Sequence, residues 1–292
     1  MDIVHGKNAE FVPPPLKHRG DGLAFKDLFR GQNGTPENYY LSVARQGDFY
    51  SPRHKHNFDQ FRFALRNEVS ISPDMLLREG ELSYHPEGVQ YGPQHDDGGK
   101  RDVLVLQFGG ASGQGYLSFD QLAAAQAALK ETGRFEGGKY YSNDGTADDG
   151  KDGYEALWEH CNGRPLVYPT PRFHDPILIK PNAFAWKPYT RTPGHNVLYK
   201  SLGVFTERET RVQMIRVESD GQWELRAENA IQLLYVLRGE GSVISVNAGS
   251  PQRMQVESAL RLTPDSDSHK ISTTSEIEIL HFILPMLSSG LE

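Results

Sequence analysis

The sequence is most informative at His54-Lys-His-Asn-Phe-Asp-Gln60, in the first half of a chain of 292 residues. Side chains two or four residues apart on a β-strand point to the same face. On a strand, His54, His56 and Gln60 would therefore direct two imidazoles and an amide toward one point. Neutral imidazole is a good ligand for divalent iron, manganese, nickel, zinc and copper. The stretch predicts a metal site, with Gln60 as a ligand or as a hydrogen-bonding group beside the metal.

Gly47 precedes the His54–Gln60 stretch. A second motif follows it, with the sequence Gly80-Glu-Leu-Ser-Tyr-His-Pro-Glu-Gly88. Together they resemble the two signature motifs of the cupin superfamily, a glycine before a His-x-His pair and a Gly to Pro-x-Gly segment before a third histidine. The resemblance covers about residues 40–108 and, in degenerate form, residues 213–284. It implies an all-β fold of two cupin-type double-stranded β-helix (jelly-roll) barrels, which the short strands broken by Gly, Pro, Asn and Asp favour independently.

The sequence departs from the cupin pattern at the third histidine. Tyr91 stands there, and His95 follows four residues later in a Gly-Pro loop. The resemblance implies His54, His56 and His95 as metal ligands, with Gln60 as a further ligand. Tyr91 is the alternative, either as a direct ligand or as a phenolic proton donor.

Other residues of the first half carry secondary predictions. Arg62 shares a strand face with Gln60 and is suited to pair with a substrate carboxylate or enolate, a surface or structural arginine being the alternative. We therefore take Gln60, Tyr91 and Arg62 as candidate catalytic residues. His85 is predicted to be structural. Asn67 replaces the last glycine of the first motif, and Asn tolerates a positive φ.

The two halves of the chain align with each other, residues 41–67 falling on residues 213–239 without a gap. An offset this long indicates duplicated domains. The second copy has Arg226 and Glu228 where the first has its histidine pair, although His269 keeps the second-motif position. We predict that the second barrel is structural and contributes stability or a dimer surface.

The middle of the chain has helical signals. Ser118-Phe-Asp-Gln121 is a capping box, and an alanine-rich helix is predicted from there to about Thr132. A second helix is predicted over residues 153–162, ending at Gly163. The predicted domains are an N-terminal arm at 1–22, a metal-binding cupin at 23–110, a helical bridge at 111–178 and a degenerate cupin at 179–292.

Composition limits the possible partners. The chain has 31 Lys and Arg against 38 Asp and Glu, a net charge of −7, so nothing favours nucleic acid or an anionic membrane. A single cysteine, Cys161, and the lack of a long apolar run predict a cytoplasmic protein. Since long β edges in cupins are commonly covered by a partner chain, a homodimer is also predicted.

The resemblance implies a metal-dependent enzyme. In the three-histidine cupins the precedent is cleavage by O2 of a small enolisable or aromatic substrate at one divalent metal ion, usually Fe(II), with Mn, Ni, Zn or Cu possible. A mononuclear non-haem iron dioxygenase is therefore the leading hypothesis. A metal-dependent isomerase or lyase, or a non-enzymatic bicupin that binds a small molecule, are the alternatives.

Overall fold

The structure is a computed structural model that describes residues 1–14, 22–35, 37–96, 98–144, 150–190, 194–205, 209–247 and 249–285. Within the predicted N-terminal arm, residues 15–21 lie outside this description. No helix in the described part of the chain combines the length and apolar character needed to cross a membrane.

The described residues form 22 β-strands and two α-helices. The strands up to the first helix are β1 (Asp2–His5), β2 (Leu23–Arg30), β3 (Tyr39–Gln46), β4 (Phe49–Ser51), β5 (Asp59–Arg66), β6 (Val69–Ser72), β7 (Met75–Leu77), β8 (Leu82–His85), β9 (Gln94–Asp96) and β10 (Arg101–Phe108). The bridge contains α1 (Phe119–Thr132), β11 (Gly133–Glu136), β12 (Lys139–Ser142), β13 (Lys151–Asp152) and α2 (Gly153–Asn162). The remaining strands are β14 (Ile177–Ile179), β15 (Lys187–Pro188), β16 (Gly194–Phe205), β17 (Thr210–Leu225), β18 (Gln232–Ser245), β19 (Gln252–Gln255), β20 (Ser258–Leu262), β21 (His269–Ser272) and β22 (Ile277–Ile283).

The first barrel has a six-stranded antiparallel sheet in the order β14-β8-β5-β10-β3-β2, faced by the ribbons β4–β9 and β6–β7. Because side chains alternate along a strand, one face of this sheet points into the barrel, where Ala44, Ala64, Val103 and Val105 pack against residues from the ribbons. We call this face the inner wall. It also carries Ser42 on β3, Gln60 and Arg62 on β5, and Ser83 and His85 on β8.

The second barrel is a nine-stranded sheet built mainly from β16 to β22. Its interior is filled by large apolar side chains, including those of Trp223, Leu234, Val236 and Ile279. Such close packing stabilises the barrel by apolar burial and leaves a mainly dry interior.

The outer faces of the two sheets pack against each other. Phe61, Phe63 and Leu106 of the first barrel belong to the same buried cluster as Met214 and Phe282 of the second. The all-β architecture of two barrels predicted from the sequence is therefore confirmed, and the two barrels share one hydrophobic core.

Two strands cross between the barrels. β1, which lies in the predicted arm, pairs with β20 of the second barrel, where Asp2 also forms an ion pair with Arg261. β14, at the predicted boundary of the bridge, pairs with β8 of the first barrel. β1 and β14 thus tie the two barrels to each other.

The bridge is less purely helical than predicted, because β11, β12 and β13 form a small antiparallel sheet beside the helices. Both predicted helices are confirmed. Ser118 and Gln121 form the capping box of α1. α2 ends at Gly163, which adopts a left-handed φ of 63°.

The two halves match less regularly than their sequences suggest. Gln60 and Gln232 both point into their barrels, as the alignment requires. However, Leu41 lies on the outer face of β3, whereas Gln213 on β17 points inward toward His281. Because side chains alternate between the two faces of a strand, the alignment of β3 with β17 without a gap is shifted by an odd number of residues. Asn67, which replaces the last glycine of the first motif, adopts a φ of 60°, a positive value that asparagine tolerates.

Candidate metal and ligand site

The two sequence motifs meet through their backbones. His54 and Tyr91 exchange both of their N–H to carbonyl hydrogen bonds at 3.0 Å, and the N–H of Gly88 donates to the carbonyl of His56 at 2.7 Å. Gly88 has a φ of 79°, and a Cβ there would lie 2.5 Å from the carbonyl oxygen of Pro169. Only glycine suits this position, so the motif glycine lets Tyr91 lie beside the histidine pair.

The predicted ligands His54 and His56 lie together at the mouth of the first barrel. Their ring centroids are 5.1 Å apart, and the ring of Tyr91 lies 4.3 Å from His54 and 5.5 Å from His56. His54 Nδ1 is 2.7 Å from the carbonyl oxygen of Pro52. This contact assigns the proton of His54 to Nδ1 and leaves Nε2 as a potential ligand.

Arg62 connects the predicted catalytic residues. Its Nε donates to Gln60 Oε1 at 2.6 Å and its Nη2 donates to the Tyr91 hydroxyl at 3.0 Å. That hydroxyl lies 3.3 Å from His56 Nε2. Arg62 is only 7% exposed, so a guanidinium charge lies inside the barrel. Gln60, Arg62, Tyr91 and His56 therefore form one buried hydrogen-bonded group.

His95, predicted as the third ligand, does not join the pair. On β9 the side chains of Gln94 and Asp96 are buried and that of His95 is exposed, because they alternate. Its ring lies 6.2 Å from that of Tyr50. Among the described residues, no three His, Cys, Asp or Glu side chains converge to hold a metal ion. The predicted set with His95 is not assembled, and Tyr91 stands beside the pair instead.

The side chains that could bind a metal at the mouth of the first barrel determine which metals suit it. Two imidazoles and a phenol oxygen suit a divalent transition metal. Gln60, predicted as a ligand or as a hydrogen-bonding group, accepts a short hydrogen bond from Arg62 at its side-chain oxygen. His54, His56 and Tyr91 are the residues that would hold a metal here.

His85, predicted from the sequence to be structural, lies beside the buried hydrogen-bonded group of Arg62. It lies directly opposite Gln60 in the β5–β8 register, and its ring is 4.5 Å from that of Tyr91. Burial lowers the pKa of His85 well below its usual value, and the charges of Arg62 and His54 act in the same direction. The alternation of β8 opposite β5 is the only sequence signal that could have placed it here.

The inner wall holds buried polar atoms without partners among the described residues. These are Ser42 Oγ, Gln46 Oε1 and His85 Nδ1, and Gln94 Oε1 and Asp96 Oδ2 are similar atoms on the facing strand β9. Burial raises the pKa of Asp96. Buried polar groups in native proteins are nearly always hydrogen bonded, so this barrel is equipped for a polar ligand or water.

Aromatic side chains of the histidine loop and of the bridge cover the mouth. Phe58 stacks on the His56 ring at 4.4 Å with an interplanar angle of 9°, and Tyr116 contacts Phe58 edge-on at 5.1 Å. From α2, the Tyr154 hydroxyl donates to Asn57 Oδ1 at 2.6 Å. These contacts hold the histidine loop and exclude water from one side of it.

The equivalent place in the second barrel is sealed. His281 Nδ1 accepts from the amide of Gln213, and its Nε2 donates to Gln232 Oε1, both at 3.0 Å. Burial lowers the pKa of His281 to about 3. Arg226 and Glu228, which replace the histidine pair, form ion pairs with Glu224 and Arg211.

The fold was compared with known proteins. No protein-family model and no curated protein matches the sequence. Among solved structures, a protein from Nostoc punctiforme provisionally described as a dioxygenase matches 99% of this chain and 84% of its own, with a TM-score of 0.64 and 12% identity. A protein provisionally described as glyoxylate-induced, from Pseudomonas aeruginosa, matches 99% and 91%, with a TM-score of 0.61 and 12% identity.

A third structure, oxalate decarboxylase from Lactobacillus farciminis in complex with formate, matches 98% of this chain and 86% of its own. Its TM-score is 0.55 and its identity 11%. The chain therefore shares the two-barrel fold of these structures. Its first barrel has buried polar side chains on the inner wall, and its second has a mainly apolar interior. At identities this low, the likeness concerns the fold alone.

Proposed function

We propose that the first barrel binds a small organic anion beside a divalent metal and converts it, while the second barrel is structural. The observation that carries the proposal is the buried guanidinium of Arg62 on a wall with unpartnered polar atoms. The second barrel has a mainly apolar, packed interior in the same fold, and its buried His281 has both ring nitrogens paired. A binding function therefore belongs to the first barrel.

Arg62 is the proposed anion-binding residue. A guanidinium offers parallel N–H groups that match the two oxygens of a carboxylate, and burial strengthens such a pair. Through Nε and Nη2, Arg62 donates to Gln60 and Tyr91, and its charge also acts on Asp96 of the facing strand. Two structurally similar proteins are named for oxalate decarboxylation and glyoxylate induction, which agrees with a small carboxylate as ligand.

His54, His56 and Tyr91 are the proposed metal ligands. When bound, a divalent metal would supply a Lewis acid with open positions. Gln60 and Arg62 orient the anion, and Phe58 and Tyr116 limit access of water to the histidine loop. We propose cleavage of an enolisable or aromatic acid by O2 as the reaction class, with Fe(II) as the metal.

A non-enzymatic bicupin that binds an anion is the second candidate. It is favoured by the guanidinium of Arg62, which donates to the phenol oxygen that a metal would need. A permanent cation at that oxygen opposes metal binding unless an anion compensates it.

Metal content and oxygen uptake separate the two candidates. The wild-type protein should contain about one metal ion per chain by elemental analysis, and His56→Ala should lose it together with oxygen uptake on an added acid. His174→Ala is the matched control, because the His174 side chain is 93% exposed. A wild-type protein that takes up no stoichiometric metal would refute the enzyme and favour the binding protein.

A further inference from the structure

We infer that His85 is a ligand-binding residue of the first barrel, selecting anions that carry a hydroxyl, enol or keto oxygen beside the carboxylate. The inference rests on the proposed function, since Arg62 has to hold the carboxylate. It assigns a substrate class to that site, namely hydroxy- and oxocarboxylates.

The position of His85 is the first argument. His85 lies opposite Gln60 and Ser83 lies opposite Arg62 in the register of β5 with β8. Directly opposite residues of an antiparallel pair have neighbouring side chains on the same face. His85 therefore stands on the inner wall next to the group formed by Gln60, Arg62 and Tyr91.

The hydrogen bonding of His85 is the second argument. Its Nε2 lies 3.0 Å from Ser83 Oγ, while Nδ1 is buried and has no partner among the described residues. His281, the buried histidine of the second barrel, has both ring nitrogens paired with glutamine side chains. A histidine kept only for packing is satisfied as His281 is, because an unpaired buried nitrogen costs free energy. A ligand atom at Nδ1 would remove that cost.

The surroundings of His85 define the ligand atom. Its ring is 1% exposed, and Nδ1, buried without a partner among the described residues, offers one N–H or one lone pair. The register places the uncharged side chains of Gln60 and Ser83 beside this ring, while the cation of the wall, Arg62, holds the carboxylate. A neutral oxygen is suited to Nδ1, and Ser42 Oγ on the same wall is another buried unpartnered group, separated from Arg62 by Val105.

The test compares acids that differ by one hydroxyl group. Salicylate against benzoate, and glycolate against acetate, are titrated by calorimetry into wild type, His85→Phe and His85→Asn. Wild type should prefer the hydroxy acid by about fivefold, the equivalent of one net hydrogen bond. His85→Phe should abolish the preference and bind benzoate within about twofold of wild type. His85→Asn should restore part of it, since its amide lies near the place of Nδ1.

The outcomes distinguish failure of the role of His85 from failure of the proposed anion site at Arg62. Equal binding of each pair by wild type, or an undiminished preference in His85→Phe, would overturn the role of His85 and leave the anion site standing. If no acid binds wild type, or if Arg62→Gln binds benzoate as wild type does, the proposed function fails and this inference fails with it. If His85→Phe does not fold, an undiminished preference in His85→Asn would overturn the role of His85.

Discussion

Arg62 places a permanent positive charge one hydrogen bond away from Tyr91 and from Gln60. A metal ligated by Tyr91 would stand near that charge. Two unit charges 4 Å apart repel by about 4 kcal/mol at an effective dielectric constant of 20, so an anion between metal and guanidinium would relieve the repulsion. We expect metal and carboxylate to raise each other's affinity in the wild-type protein, because such coupling is reciprocal.

The substitution Arg62→Gln tests this coupling. It should weaken benzoate binding by at least about tenfold, since a buried ionic hydrogen bond is lost. It should also strengthen the binding of Mn²⁺ in the absence of benzoate. Calorimetric titration of each ligand, alone and with the other present, gives both quantities.

The matched control is Arg45→Gln, which removes the same charge from a partly exposed ion pair with Asp102. Both affinities should stay within about twofold of wild type there. If Arg62→Gln binds Mn²⁺ no better than wild type does, the metal does not stand near the guanidinium.

At the scale of single residues, the motif spacing predicted part of the site. It placed His54, His56, Gln60, Arg62 and Tyr91 in one region, because the spacing between motifs carries information about both strands. The orientation of a residue beyond a turn is not contained in that spacing. His95 points outward and His85 points inward for this reason, as both follow from strand pairing that forms only in three dimensions.

Three strands of the second barrel are joined by one histidine. His281 on β22 is hydrogen bonded to Gln213 on β17 and Gln232 on β18. Its pKa of about 3 in the folded protein is below the usual value of 6.5, mainly because of burial and in addition because of Arg211. The unfolded chain thus takes up a proton at this residue between pH 6.5 and 3, and the folded protein does not.

Because only the unfolded chain takes up this proton, the free energy of unfolding should fall as the pH is lowered. The stability that the neutral His281 allows is fully present above pH 6.5 and is lost as the pH falls from 6.5 toward 3. Between pH 7.5 and 5.5 the loss is roughly 1.4 kcal/mol for one such residue. Urea unfolding of wild type and His281→Gln across this range should show a shallower pH dependence in the variant by that amount. Equal slopes would contradict a buried neutral histidine, and His174→Ala should have the wild-type slope.

The helices can be predicted from the sequence, whereas two of the short strands cannot. α1 and α2 follow from local signals, since the capping box of Ser118 and Gln121 and the glycine after α2 act within a few residues. β1 and β14 do not, because each is short and gains its stability from a sheet distant in the chain. Their exchange between barrels was therefore not predicted.

At the scale of the whole molecule, one buried cluster joins the two barrels. Phe61 of the first barrel lies 5.1 Å from the ring of Phe205 and 5.7 Å from that of Phe282, both from the second. The exchanged strands add backbone hydrogen bonds to this contact. The homodimer predicted from the long β edges of cupins stays a prediction.

Removal of one side chain from this shared core should destabilise both barrels together. Phe282 is 1% exposed and lies in the cluster that spans the two sheets, so Phe282→Ala should cost about 3 to 5 kcal/mol. Hydrogen exchange followed by mass spectrometry should show faster exchange in β5 of the first barrel as well as in β22, and thermal unfolding should keep a single transition. Val246→Ala, at a side chain that is 58% exposed, should change neither the hydrogen exchange nor the thermal unfolding. Loss of protection in β22 with β5 unaffected would mean that the barrels unfold independently, and the shared cluster would then be only a contact between two separate folding units.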